Sequence, residues 1–80
     1  MSQKIFSMDL SVEAVSLYLL CCAVADAGSG ITKETLAEKW NSSRAALERE
    51  LRRLEEKNIL GRDGTENNAT YQILDAKKWL

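Results

Sequence analysis

Two helical patterns separated by a short polar turn constrain this chain more than any other feature. From Ile31 to Leu60 the residues read as a short helix, a tight turn and a longer helix. The Thr32 hydroxyl is placed to accept from an orphan backbone N–H and cap the first. Leu36, Ala37 and Trp40 then recur on one face at helical spacing. Asn41 suits the turn, because its short amide tolerates a left-handed backbone. Ser43 caps the longer helix, in which Leu47, Leu51 and Leu54 fall at i, i+4 and i+7 as one narrow apolar stripe. The sum is a helix-turn-helix over about residues 32–57.

The opposite face of the longer helix carries the candidate chemistry. At about 100° per residue, Ala45, Arg49, Arg52 and Glu56 point away from the leucines, with Ala46 and Arg53 beside them. Small residues near a helix start let its backbone enter a groove, and arginines one and two turns later reach phosphates or base edges. Arg52 has Glu48 and Glu56 four residues away on either side, and Arg53 has Glu50 and Glu56 three away. Arg49 has no carboxylate at those spacings, which makes it the arginine expected to be least neutralised by its own helix. It is therefore expected to matter more than Arg52.

The flanking segments complete the architecture. Ser11 is a credible cap for a first helix over about 11–25, with Glu13 in its first turn, where the helix dipole favours a carboxylate. Leu10 and Val15 occupy the positions of a hydrophobic staple. Ala14, Leu17, Tyr18, Cys21 and Val24 form its expected buried stripe, and Leu19 and Leu20 extend the apolar surface around it. The loop 26–30 holds Gly28, Ser29 and Gly30, in which glycine permits positive φ. Met1 to Met8 reads as a frayed start or a short strand.

Asn58 is suited to the left-handed residue that ends a helix. Ile59–Arg62 and Thr70–Leu74 then read as two strands, with turn formers at 63–69 between them. The expected fold class is α+β, mainly α: three helices and a two-stranded β-hairpin wing over about 59–74, a winged helix-turn-helix filling residues 1–80 as one domain.

Composition narrows the function. A net charge of −1 argues against strong nonspecific nucleic-acid binding. From Thr32 to Arg62, eight basic residues stand against six acidic ones, a local balance of +2. There is no histidine, and the two cysteines, Cys21 and Cys22, are adjacent within a helix, where they cannot bridge to each other. A structural zinc site and cofactor chemistry are therefore not expected, and free thiols suit a reducing compartment. With no nucleophile motif either, an enzyme is not expected. No apolar run is long enough to span a bilayer, and the N-terminus does not read as a signal peptide, so a cytoplasmic location is expected.

Leu10-Ser11 followed by Ala14, Leu17 and Tyr18 resembles the first helix of winged-helix domains in bacterial, phage and plasmid replication-initiation proteins, the DnaD-like and replisome-organiser group. Thr32, Leu36 and Ala37, then Ser43-Arg44, Leu47, Arg49, Leu51, Leu54, Glu55, Ile59 and Leu60, are similar to that group and to bacterial winged-helix transcription regulators. The resemblance implies double-stranded DNA as partner, bound by the second helix of the motif with the hairpin as a wing. It implies Ser43 as helix cap and phosphate contact, Arg44, Ala45 and Ala46 approaching the groove, and Arg49 as main reader. Arg52, Arg53 and Arg62 complete the candidate DNA-binding set. The chain departs from the pattern at Ala46, where the family often has threonine or serine. It departs again at Ser42, where an apolar residue is usual, and at a wing bearing Asp63 and Glu66 with Arg62 as its only basic residue.

Two functions follow as expectations. One is sequence-specific DNA binding as a small transcriptional regulator or replication-associated protein. The alternative is a winged-helix protein–protein interaction or dimerisation module. Leu19, Leu20, Trp79 and Leu80 exceed what one small core is expected to cover, which points to a homodimer through the first helix and the C-terminal residues; the alternative is that the N-terminal segment and the C-terminal residues, Trp79 and Leu80 among them, pack on the domain and cover that helix.

Overall fold

The computed structural model describes residues 3–28, 30–64 and 69–80. Within them lie three α-helices, α1 (Val12–Asp26), α2 (Lys33–Lys39) and α3 (Arg44–Glu56), and three strands, β1 (Ile31–Thr32), β2 (Leu60–Asp63) and β3 (Thr70–Ile73). The arrangement is α+β, mainly helical, and compatible with a winged-helix fold. The expected two-stranded hairpin is in fact part of a three-stranded antiparallel sheet of order β1-β3-β2. Ile31 pairs with Tyr71 and Thr32 with Thr70, so the residues that lead into α2 also close the second edge of β3.

Local capping explains where the helices start. The side-chain oxygens of Ser11, Thr32 and Ser43 accept from the backbone N–H groups of Ala14, Thr35 and Ala46 at 3.2, 3.1 and 3.2 Å. Each satisfies a donor that the helix itself cannot. The end of α3 is a Schellman motif. Asn58 adopts φ 59°, its N–H bonds Glu55 O at 3.1 Å, and the Ile59 N–H bonds Leu54 O at 2.9 Å. Gly28 ends α1 with φ 81°. Asn41 lies in the turn between α2 and α3 without using a left-handed backbone; the non-glycine residues with positive φ are Asp9 and Asn58, among those described.

The core is the expected set with three additions, Ile5, Ile31 and Trp79. Ala14, Leu17, Tyr18, Cys21 and Val24 of α1 pack with Leu36 of α2, Leu47, Leu51 and Leu54 of α3, Ile59 just before β2, and Leu60 and Tyr71 of the sheet. Met1–Met8 is neither frayed nor a strand in its described part. Gln3–Ser7 forms a 3-10 turn that buries Ile5 completely. Ile31 of β1 and Trp79 are the other additions. For Trp79 the contacts are specific. Its ring meets Tyr18 edge-on at 5.5 Å, and its indole N–H donates to Leu74 O at 3.0 Å. The Leu80 N–H donates to Lys57 O at 2.8 Å, so the C-terminal segment straps the end of α3.

Trp79 therefore belongs to its own domain's core, which removes it from the surface expected to drive dimerisation. Leu80 and Leu19 stay exposed, and Leu20 is half-buried. No helix among the described residues is long and apolar enough to cross a membrane.

Candidate nucleic-acid interface

The outward face of α3 is fixed by which of its residues reach the core. Leu47, Leu51 and Leu54 point inward as expected, and Ala46 and Glu50 point inward with them. Ala46, expected to approach a groove, is buried and does not join an exposed face; it lies on the turn that follows the Ser43 cap, beside Leu47. Arg44, Ala45, Glu48, Arg49, Arg52, Arg53 and Glu56 are exposed. At 100° per residue, Ala45 and Arg52 lie opposite the centre of the buried stripe, with Arg49 to one side and Glu48 to the other.

Ion pairing on this face keeps the expected i, i+3 pair of Arg53 with Glu50 but departs from the expected spacing at Arg49 and Arg52. Arg49 is not the least neutralised arginine. Its Nε donates to Glu50 Oε2 and its Nη2 to Glu13 Oε2, both at 3.0 Å. These bonds, to Glu50 first and then to the Glu13 and Glu50 charges, hold the guanidinium pKa above its ordinary value. Arg53 takes the other Glu50 oxygen at 3.6 Å. Arg52 has no ion pair among the described residues: Glu48 and Glu55 are engaged elsewhere, and the exposed Glu56, four residues on, forms no ion pair with it. Glu48 pairs with Lys33 of α2 at 3.5 Å, and Glu55 pairs with Arg62 of β2 at 3.4 Å.

Glu50 anchors this network. Its side chain is only 3% exposed, and it receives Arg49, Arg53 and the Ser11 hydroxyl, the last at 3.3 Å. A buried carboxylate demands such partners, since an unpaired one is strongly destabilising. Glu13 and Glu50 were not among the expected site residues. Glu13 is unreadable as a partner of Arg49, because 36 residues separate them. Glu50 did leave a signal: it sits three residues after Leu47 and four before Leu54, on the edge of the apolar stripe.

The structure thus brings Arg49 and Arg53 together around Glu50, and Arg52 and Arg62 together across a cleft. This cleft of about 120 Å³ lies between α3 and the sheet, with Lys33, Arg52, Glu55, Arg62 and Tyr71 among its walls. Burial, and then the Glu55 charge, raise the Tyr71 pKa, so its hydroxyl stays protonated at neutral pH. Arg44 stands apart at the start of α3, exposed and without an ion pair among the described residues. Ser43 Oγ is committed to its cap. Asp63 closes β2, whereas the expected wing-tip residue Glu66 and the loop residue Ser29 lie outside the described residues.

No group of three or more potential metal-ligating side chains occurs among the described residues. Both thiols are free, and burial together with the neighbouring Cys22 pushes Cys21 up to about 12. Such a thiol is not a nucleophile at neutral pH. Comparisons of the chain with protein-family models, with curated proteins and with solved structures find no match.

Proposed function

We propose that the chain binds double-stranded DNA as a winged helix-turn-helix module, in the role of a small transcriptional regulator or replication-associated protein. In this reading α3 enters the major groove, and the β2–β3 hairpin follows the backbone. The observation that carries it is Arg52. It projects from the centre of the exposed face of α3 without an ion pair among the described residues, and Lys33 and Arg62 occupy Glu48 and Glu55, two of the three carboxylates within a turn of it. Arg44, at the first turn of α3, adds a second unpaired cation to the end of the helix that approaches bases. Arg62 adds a cation on the hairpin. This reading shifts the principal role from Arg49 to Arg52.

Binding of labelled duplex DNA, followed by fluorescence anisotropy at two salt concentrations, tests it. Wild type is expected to bind with an affinity that falls as salt rises, because phosphate contacts release counterions. Arg52→Ala is expected to weaken binding about fivefold or more. Wild type with no salt-dependent binding ends the DNA reading.

One observation favours a second reading, that of an interaction module. No charged side chain occurs in α1 between Glu13 and Asp26. On its outer side Val12 is 81% and Leu19 37% exposed. A surface helix ordinarily carries charge there. A homodimer through α1 and the C-terminal residues is the form this reading takes, and a monomeric sedimentation mass at high micromolar concentration counts against it.

A further inference from the structure

Arg49 is gripped from two sides that differ in accessibility. Its Nε bond goes to Glu50, which is buried and further held by Ser11 and Arg53. Its Nη2 bond goes to Glu13, whose side chain is 53% exposed, and Arg49 itself is 60% exposed. The first contact is anchored and the second is open to exchange. Exposed ion pairs are weak, and a phosphate offers a guanidinium the same charge-assisted hydrogen bonds as a carboxylate. Arg49 lies one turn before Arg52 on the exposed side of α3, so any anion docked at Arg52 is within reach of a released Nη2.

We propose that Glu13 is an internal competitor for DNA phosphate at Arg49, so that the first turn of α1 limits how tightly α3 engages DNA; this rests on the DNA-binding reading above. An arginine that already carries an internal counter-ion gains less from a phosphate, because the contact must first break the existing pair. Removing the Glu13 charge leaves Nε tied to Glu50, which keeps the guanidinium positioned, and frees Nη2 toward solvent. Glu13 thereby tunes affinity from a helix that need not touch the nucleic acid.

The test is a set of anisotropy titrations against one labelled duplex at two salt concentrations. The proteins are wild type, Glu13→Gln, Asp26→Asn, Arg49→Ala and the double variant Glu13→Gln/Arg49→Ala, each checked for fold by circular dichroism. Asp26→Asn makes the same change in net charge at the far end of α1, about 20 Å away along the helix. Glu13→Gln is expected to bind about two- to fivefold more tightly than wild type. Its salt dependence is expected to be steeper, Asp26→Asn is expected to gain less, and the gain is expected to vanish in the Arg49→Ala background. A gain no larger than that of Asp26→Asn, or one that survives loss of Arg49, overturns the proposal while leaving DNA binding intact. Absence of salt-dependent binding in both wild type and Glu13→Gln overturns the proposal and the DNA reading together.

Discussion

Arg49 Nη2 lies 3.0 Å from Glu13 Oε2, a bond that fastens the middle of α3 to the first turn of α1. The same guanidinium supports the buried Glu50 through Nε. Arg49 is therefore both a surface cation and a member of the network that positions two helices. Arg52, one turn later on the same helix, has neither attachment.

This difference predicts opposite behaviour on truncation. Arg49→Ala withdraws a partner from a carboxylate that solvent barely reaches, so its thermal midpoint is expected to fall measurably. Arg52→Ala is expected to stay within about 0.5 kcal/mol of wild type, as is usual for surface substitutions without a structural role. Thermal melts followed by circular dichroism read both. Equal midpoints for the two variants would show that Glu50 finds adequate replacement partners.

Glu50 itself separates charge from volume. Glu50→Ala removes the acceptor for Ser11, Arg49 and Arg53 and opens space beside Leu47 and Leu54. A loss of about 1–3 kcal/mol is expected. Glu50→Leu refills that space with apolar volume and leaves the two arginines in water, where they remain solvated. It is expected to lie close to wild type, since apolar replacement of buried ion pairs is often neutral. Urea denaturation ranks the variants, and a Glu50→Leu protein as unstable as Glu50→Ala would show that the ionic network itself holds the helices together.

Trp79 lies one residue from the end of the chain yet is 6% exposed. Trp79→Ala removes the edge-on contact with Tyr18 and the bond to Leu74 O. Loss of so large a buried side chain costs about 3–5 kcal/mol. Small domains hold only about 5–15 kcal/mol in total, so a marked drop in denaturant midpoint or outright unfolding is expected. A midpoint equal to wild type would mean that the C-terminal strap does not contribute to the core.

Cys21 gives the fold an alkaline limit. Burial first, and Cys22 second, raise its thiol from 9.0 to about 12. The native state thus holds this proton more tightly than the unfolded state does. The associated stability is complete below about pH 9 and is lost progressively as pH rises from there toward 12. Denaturation free energies measured across that window are expected to fall, with a shallower slope in Cys21→Ala. Identical slopes in the two proteins would remove Cys21 as the cause. Cys22, which lines an open cleft beside Tyr18 and Trp79, is expected to react with a thiol reagent in the native state while Cys21 stays protected.

The helices were legible because their causes are local. Ser11, Thr32 and Ser43 cap within three residues of their own position, and Asn58 supplies the left-handed residue where α3 stops. The leucines of α3 and the Ala14-to-Val24 stripe of α1 follow from a 3.6-residue repeat that needs no knowledge of a partner. Strand β1 was not legible, since two residues carry no periodicity; Ile31 and Thr32 become a strand only because β3 lies beside them. Ile5 was equally opaque, buried by elements distant in sequence, whereas for Trp79 the residue type pointed to burial and only the packing decided between its own domain and a partner.

For the candidate site the division is sharper. The sequence alone determined that α3 carries arginines on the side away from its leucines, because helical geometry fixes that phase. Which of those arginines is free of an ion pair follows from packing between elements. Spacing along one helix assigned Glu48 and Glu56 to Arg52 and left Arg49 alone. Packing instead brought Glu13 to Arg49, turned Glu50 inward beneath it, and drew Glu48 and Glu55 toward Lys33 and Arg62. The physical reason is range. A hydrogen-bonded cap or an apolar repeat is set within a turn or two of helix, whereas an ion pair is set by whichever charges the crossing of helices and strands places within reach.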